Sequence, residues 1–171
     1  MDEYLSFLIY SAVRSPFLDF FAQIFTVLFS YAVILPLIFV FYVLKSDEKR
    51  FLLFISALST GFSVFVLKHI VGRIRPLYGT NVFLSSGYSF PSGHTAGAFV
   101  LASVLSHYYP KKKPVFYAIA FFVGFFRIYS GSHYILDVVF GGFLGWFIGK
   151  LFIKFEDRVV DLNNKILKYI K

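Results

Sequence analysis

The chain has 171 residues, of which 58% are hydrophobic and 22% aromatic, whereas 15% are charged. A soluble domain of this size carries more charge, and several apolar runs are long enough for membrane helices, so the composition excludes a soluble globular protein. The absence of cysteine excludes disulfide and thiolate chemistry, and the formal net charge is +8. Because the basic residues lie between apolar runs, we expect anionic lipid headgroups as partners and no nucleic acid.

The apolar pattern predicts an all-α integral membrane protein with one domain, residues 1–171. Residues 4–13 are expected to form a short interfacial helix. Five membrane helices in a bundle are expected to follow, at residues 17–44, 51–71, 94–109, 114–129 and 134–153. Each is about long enough to cross about 30 Å of hydrocarbon, although the third and fourth are short. The tail, residues 154–171, has apolar residues at helical spacing and is predicted to be a second amphipathic helix on the membrane.

Three glycines, Gly141, Gly145 and Gly149, repeat every four residues on the fifth predicted span. Small residues at this spacing let two helices approach closely. The contact is expected either within the chain or between two copies, which leaves the oligomeric state open.

The distribution of lysine and arginine predicts the orientation in the membrane. Twelve of the 17 basic residues fall at one set of helix ends: Lys45, Lys49, Arg50, Lys111, Lys112, Lys113, Lys150, Lys154, Arg158, Lys165, Lys168 and Lys171. The opposite ends carry Arg14, Lys68, Arg73, Arg75 and Arg127. The first set and the C-terminal tail are therefore expected in the cytoplasm, and the loop at residues 72–93 and the turn at 127–133 on the outward face.

The segment from Arg127 to Asp137 places a cation, an imidazole and a carboxylate at a predicted membrane edge. If the chain after Ser132 is helical, His133 and Asp137 are four residues apart and share one face. A carboxylate there can hold the imidazole in one tautomer and leave its other nitrogen free to attack. Ionisable groups in this setting are costly, so a functional role is expected. The alternative is a structural pair at the start of a helix.

Two other segments are predicted to reach the same face. Lys68 and Arg75 lie at the outer end of the second span, and with Arg127 they supply three cations. Ser92 is expected to cap the third membrane helix, and Gly93 lets a ligand approach the backbone amides there. Three cations beside a helix N-terminus form a site for a dianionic tetrahedral oxyanion, which phosphate fits.

Two histidines complete the predicted chemistry. His133, oriented by Asp137, is the expected nucleophile. His94 is the expected general acid, which protonates the leaving oxygen and then acts as base while water hydrolyses the phosphohistidine. Because fixed cations stabilise the transition-state charge, no metal and no other cofactor is expected. Arg73 is not assigned a role in the chemistry, and contact with lipid headgroups or substrate is the alternative for it.

These segments resemble the signature of the type 2 phosphatidic acid phosphatase superfamily. Lys-x6-Arg-Pro matches residues 68–76, Pro-Ser-Gly-His matches 91–94, and Ser-Arg-x5-His-x3-Asp matches 126–137 with one departure. The departure is Phe126, where the family usually has a serine whose hydroxyl can bond to phosphate. The resemblance covers about residues 50–155 and implies a helical bundle, a phosphohistidine mechanism and metal independence. It assigns the roles given above to eight residues: Lys68, Arg75, Ser92, Gly93, His94, Arg127, His133 and Asp137.

The leading hypothesis is a lipid phosphatase of a prokaryotic plasma (inner) membrane, with its active site on the periplasmic or extracellular face. The resemblance implies three classes of substrate: undecaprenyl pyrophosphate, phosphatidylglycerophosphate or phosphatidate, and the 1-phosphate of lipid A. One alternative is transfer of the phosphate to the hydroxyl of a second lipid. Another is a non-catalytic lipid binder or scramblase that keeps the phosphate site, and a haloperoxidase is a more distant one.

Overall fold

A computed structural model of the protein describes residues 1–44, 47–76 and 87–170. These ranges contain eight α-helices and a short 3₁₀ turn at Pro110–Lys112. The helices are α1 (Asp2–Ala12), α2 (Pro16–Leu28), α3 (Tyr31–Leu44), α4 (Glu48–Val71), α5 (Gly93–Tyr108), α6 (Lys113–Tyr129), α7 (Ile135–Lys154) and α8 (Glu156–Ile170). The predicted all-α fold is confirmed. Residues 77–86 of the predicted outward loop lie outside the described residues, as do Lys45, Ser46 and Lys171.

Helix α5 lies at the centre of the bundle, in contact with α4, α6 and α7. Ten of its 16 residues are buried, and most of these have small side chains, such as Ala96, Ala98 and Ala102. Small side chains on all faces let three neighbouring helices approach α5 closely. The elements that carry the sequence motifs therefore pack around one common helix.

The face of α7 that packs against α5 carries a glycine stripe four residues apart: Gly141, Gly145 and Gly149. A Cβ atom at Gly141 would lie 2.6 Å from the carbonyl oxygen of Ser92. A Cβ atom at Gly145 would overlap the carbonyl oxygen of Ala96. The glycine stripe of α7 is therefore in contact with α5 of the same chain. Of the two alternatives that the sequence left open, contact within the chain and contact between two copies, the structure shows the first.

The first predicted span, residues 17–44, is interrupted, because α2 and α3 meet at an angle of 51°. At the break, the amide and the hydroxyl of Ser30 both donate to the carbonyl oxygen of Val27, at 3.2 and 2.9 Å. In a continuous helix that oxygen would accept from the amide of Tyr31, so the expectation of one uninterrupted helix is wrong here. The bend carries the Tyr31 ring against Gly93 at the start of α5.

Among the described residues, α4 and α7 are long and apolar enough to cross a membrane, and the bent pair α2–α3 passes the same test as one span. Helices α5 and α6 are shorter, with 16 and 17 residues. Large apolar side chains are exposed on the outside of the bundle, including Phe39, Phe41, Phe62, Phe65, Phe121, Phe143 and Phe147. Apolar surface of this extent is typical of contact with lipid. The chain is an integral membrane protein.

The two terminal helices pack on opposite ends of the bundle. Helix α1 contacts α6 and α7, and α8 contacts α4 and α7. The buried side chain of Asn163 in α8 accepts a 2.6 Å hydrogen bond from the hydroxyl of Tyr42. Glu156 lies 2.9 Å from the ring of His107. Both helices, predicted to lie on the membrane surface, are thus also fastened to the bundle by polar contacts.

The glycine stripe yields a test of stability. Replacing Gly145 with alanine forces its new Cβ against a backbone oxygen, which should cost about 1–3 kcal/mol of folding free energy through overpacking. Thermal unfolding in detergent would measure the loss. The matched control is Gly97→Ala in α5, where the nearest atom to a new Cβ lies 3.7 Å away. Equal unfolding temperatures for the two variants would contradict the packing described here.

Candidate active site

Four helix ends meet at one end of the bundle: the C-termini of α4 and α6 and the N-termini of α5 and α7. They bring together the eight residues that the sequence singled out: Lys68, Arg75, Ser92, Gly93, His94, Arg127, His133 and Asp137. The site is thus built from three chain segments.

The turn between α6 and α7 positions His133. The amides of Ser132 and His133 both donate to the carbonyl oxygen of Arg127, at 3.2 Å each, so the turn folds back over the end of α6. Nε2 of His133 lies 3.1 Å from Nη1 of Arg75, and Nδ1 lies 3.6 Å from Oδ2 of Asp137. Because a guanidinium nitrogen can only donate, Nε2 accepts with its lone pair and Nδ1 carries the ring proton.

The charge state of His133 follows from its surroundings. Burial lowers its pKa well below the ordinary value of 6.5, and the nearby cations Arg127, Arg75 and Lys68 lower it further. The imidazole is therefore neutral at pH 7. A neutral ring with its lone pair on the nitrogen that faces the cations has the form that a nucleophile needs.

Asp137 is buried, and its carboxylate is held from two sides. Oδ1 accepts a 2.9 Å bond from Nη1 of Arg73, and Oδ2 accepts a 3.0 Å bond from the amide of Tyr134. The 3.6 Å separation from His133 is longer than a hydrogen bond. The structure thus places the pair on one face, as the spacing predicts, while the carboxylate attracts the Nδ1 side of the ring through charge.

Arg73 does not extend toward headgroups in this structure. Its Nη2 donates a 2.7 Å bond to Oδ2 of Asp2, and its Nη1 donates to Asp137. The guanidinium carbon lies 3.9 Å from the centre of the Tyr134 ring. Arg73 therefore bridges two carboxylates beside His133, a role that the sequence analysis missed.

Ser92 precedes α5, but its side chain does not cap the helix. Its Oγ instead lies 2.9 Å from the hydroxyl of Thr95. The expected side-chain cap is therefore wrong, because the Thr95 hydroxyl, one turn further on, takes the hydrogen bond. The amide of Ser92 donates to the carbonyl oxygen of Asp137 at 2.9 Å. The amides that begin α5, from Gly93 onward, have no acceptor within the helix and lie at the site.

Thr26 of α2 also belongs to the site and was missed by the sequence analysis. Its carbonyl oxygen accepts a 3.1 Å bond from Nε2 of His94, and its hydroxyl accepts a 2.6 Å bond from Nη1 of Arg127. Nε2 of His94 therefore carries a proton, which leaves Nδ1 to exchange one. Arg127 is 3% exposed, and its Nε has no acceptor within the described part of the chain.

Lys68 and Arg75 reach the site from the end of α4. Lys68 Nζ donates to the carbonyl oxygen of Tyr88. Helix α4 ends at Val71 and is followed by Gly72, whose φ of 62° lies in the left-handed region that favours glycine. After Gly72 the chain turns back toward the site. Nη1 of Arg75 there donates a 2.8 Å hydrogen bond to the carbonyl oxygen of Ser132.

Phe126, which replaces the usual serine, packs against α2. Its ring centre lies 5.1 Å from that of Phe25, and the side chain forms a buried cluster with Ala22 and Tyr129. Phe126 therefore holds α6 against the helix that supplies Thr26.

Comparison with known proteins relates the chain to one family. Residues 49–161 match the PAP2 superfamily. Lipid A 1-phosphatase of Rhizobium etli is 39% identical over 107 residues, 56% of this chain and 45% of that protein. Phosphatidylglycerophosphatase B of Bacillus subtilis is 33% identical over 111 residues, 58% of this chain and 54% of that protein. The chain thus spans about half the length of these curated relatives.

Two solved structures are similar over most of this chain. The crystal structure of Aquifex aeolicus LpxE has a TM-score of 0.78 and 34% identity, and the match covers 90% of this chain and 94% of that one. The crystal structure of a transmembrane PAP2 type phosphatidylglycerolphosphate phosphatase from Bacillus subtilis has a TM-score of 0.77 and 28% identity, with coverage of 92% and 85%. Together with the match of the family to residues 49–161, which is more than half of the chain, these likenesses show that the chain belongs to the PAP2 superfamily.

Proposed function

We propose that the protein is a lipid phosphatase that hydrolyses the terminal phosphate of a membrane lipid through a phosphohistidine intermediate, without a metal. The observation that carries this proposal is the orientation of His133. Its Nε2 lone pair faces Arg75, 3.1 Å away, while Nδ1 faces the carboxylate of Asp137. The nucleophilic nitrogen is therefore directed to the place where cations would neutralise a phosphate.

In the first step, Nε2 of His133 attacks phosphorus and the bond between phosphorus and the lipid oxygen breaks. His94 gives a proton to that oxygen. The lipid therefore leaves as an alcohol, or as a lipid monophosphate when the substrate is a pyrophosphate. The hydrogen bond from Nε2 of His94 to the carbonyl oxygen of Thr26 fixes the ring. As phosphorus bonds to His133, the ring becomes cationic, and the carboxylate of Asp137 beside Nδ1 stabilises that charge.

In the second step, water attacks the phosphohistidine and the phosphorus–nitrogen bond breaks. His94, now neutral, takes the proton from water, and His133 recovers its lone pair. Inorganic phosphate leaves, and the proton on His94 is ready for the next leaving group.

Lys68, Arg75 and Arg127 would stabilise the charge on the three non-bridging oxygens in both transition states. Arg127 is the best placed for this because it is buried and its Nε donor has no acceptor in the described part of the chain. The amides that begin α5 add further donors. This set of fixed positive groups supports a mechanism without a metal.

We propose five membrane spans, with α2–α3 forming the first and α4 to α7 the others. The shorter helix α5 lies at the centre of the bundle, and the shorter helix α6 packs against it. The site end is proposed to face outward and α8 the cytoplasm, since the basic residues Lys49, Lys111 and Lys150 lie at the opposite end. A prokaryotic plasma membrane fits the relatives, which come from bacteria.

This orientation can be tested because the chain contains no natural cysteine. A single cysteine at Val13, which is exposed between α1 and α2, should react with a membrane-impermeant maleimide added to intact cells. A cysteine at Lys111, at the opposite end, should react only after permeabilisation. The reverse pattern would invert the proposed topology.

The substrate is proposed to be an envelope lipid with a terminal phosphate: undecaprenyl pyrophosphate, phosphatidylglycerophosphate or phosphatidate, or lipid A 1-phosphate. The named activities of the relatives, on lipid A and on phosphatidylglycerophosphate, support these classes. A site at the membrane edge can accept the headgroup while the chains of the lipid stay in the bilayer.

The decisive experiment measures release of inorganic phosphate by the purified protein in mixed micelles that contain each of these four lipids, with EDTA present. His133→Ala should reduce the rate to background, because the group that forms the covalent bond is lost. His107→Ala, at the opposite end of the bundle, is the matched control and should keep the wild-type rate.

Full activity of the His133 variant, or a requirement for added Mg²⁺, would contradict the mechanism. Loss of lipid phosphate without free phosphate would indicate transfer to another lipid, and no turnover of any lipid would favour a lipid binder or scramblase.

The contact between Thr26 and Arg127 gives a second prediction. Thr26→Val keeps the shape of the side chain but removes the acceptor of a buried guanidinium, so kcat/KM should fall about tenfold. Thr26→Ser, which keeps the hydroxyl, should stay within about threefold of wild type. Equal rates for the valine and serine variants would show that the Thr26 hydroxyl does not position Arg127.

A further inference from the structure

The N-terminus of α7, which follows His133, is capped by side chains from α1. The first amides of a helix have no acceptor within it. The amide of Ile135 donates to the hydroxyl of Ser6 at 3.0 Å, and the amide of Leu136 donates to Oδ1 of Asp2 at 3.1 Å. Ser6 in turn donates to the carbonyl oxygen of Asp2 at 2.7 Å and is fully buried. Helix α1 therefore fixes the first turn of the helix that carries Asp137.

Asp2 is also connected to Asp137 through Arg73. The 2.7 Å bond from Nη2 of Arg73 to Oδ2 of Asp2 and the 2.9 Å bond from Nη1 to Oδ1 of Asp137 use the two ends of one guanidinium. The side chains of Arg73 and Asp2 are 24% and 15% exposed, and that of Asp137 is fully buried. Charge-assisted bonds with this degree of burial are directional and stronger than exposed ion pairs.

The bridge constrains the carboxylate that faces the nucleophile. With Oδ1 bound to Arg73 and Oδ2 bound to the amide of Tyr134, the Asp137 carboxylate cannot rotate freely. Its Oδ2 is thereby kept 3.6 Å from Nδ1 of His133. If Arg73 were absent, Oδ1 would lose its charge-assisted bond, and the carboxylate would be held less firmly in its orientation toward His133.

We propose that Asp2 and Arg73 are positioning residues for the reaction and form, with Asp137, a clamp through which α1 holds the nucleophile in its attacking orientation. The proposal rests on the proposed role of His133 as the nucleophile. Arg73 is proposed to act through Asp137, since one N–H of each of its terminal nitrogens bonds to a carboxylate, of Asp137 and of Asp2. Arg75, two residues further on, is the one that faces Nε2 of His133.

The test uses the lipid of the four-member panel with the highest rate and compares Asp2→Asn, Arg73→Gln and the double variant. Asp2→Asn keeps an oxygen for the amide of Leu136 but removes the charge that holds Arg73. Each single variant should lower kcat about tenfold. The double variant should be no slower than the slower single variant, because both substitutions break the same chain of contacts. Glu3→Gln removes an equal charge from the same turn of α1, at an exposed position, and should leave kcat unchanged.

Inhibition by inorganic phosphate separates positioning from anion binding. The inhibition constant for phosphate should stay within about twofold of wild type in the Asp2 and Arg73 variants and should rise about tenfold in Arg75→Lys. Arg73→Lys, which keeps the charge and one bond, should recover part of the rate lost in Arg73→Gln. A merely structural role would give neither a split between kcat and phosphate affinity nor this recovery.

Two results would overturn the clamp. The first is a kcat for Asp2→Asn equal to that of Glu3→Gln. The second is a phosphate inhibition constant that rises in Arg73→Gln by the same factor by which kcat falls. His133→Ala is measured beside these variants. If it is inactive while the Asp2 and Arg73 variants keep the wild-type rate, the clamp is wrong and the proposed function stands. If His133→Ala is fully active, the proposed function itself is wrong, and the clamp is wrong too because it depends on that function.

Discussion

One backbone hydrogen bond, from the amide of Ser92 to the carbonyl oxygen of Asp137, joins the beginnings of α5 and α7. It can form because Gly141 presents no side chain to the Ser92 carbonyl on the facing helix. The bond sets the distance between two functional parts, the amides that begin α5 and the helix turn that follows His133. The other helices add charges and supports around that fixed pair. A side chain on the glycine stripe would therefore disturb the chemistry as well as the packing.

The electrostatics of the site depend on how its cations are held. The hydrogen bonds described for Lys68, Arg75 and Arg127 include acceptors that carry no charge: the carbonyl oxygens of Tyr88 and Ser132 and the hydroxyl of Thr26. Such acceptors fix the positions of the cations without cancelling their charge. The nearby carboxylate of Asp137 is already bound to Arg73. On the proposed function, these cations would act on an incoming dianion, with which they interact strongly away from bulk water.

The sequence predicted the all-α fold, the family and the group of residues around His133, because motif spacing together with helix direction brings those segments to one end of the bundle. It did not predict what α1 and α2 contribute. Asp2, Ser6 and Thr26 lie far from the motifs in the chain, and a single polar residue in an apolar helix does not indicate its partner. The bend after α2 was missed because Ser30 breaks the helix through a local hydrogen bond rather than through proline or glycine. Contact of Arg73 with headgroups or substrate was the alternative considered for it, because the pattern gives its location but not the carboxylates that it meets.

The Nε donor of Arg127, which has no acceptor in the described part of the chain, links the stability of the fold to the proposed activity. A buried charged donor with no acceptor in the described part of the chain makes the resting fold less stable than the same fold with an apolar side chain at that position. On the proposed function, the acceptor of this donor would be the phosphate of the substrate. Selection for heat resistance alone would therefore favour its replacement by a residue such as methionine, and the more stable protein would lose the activity that we propose.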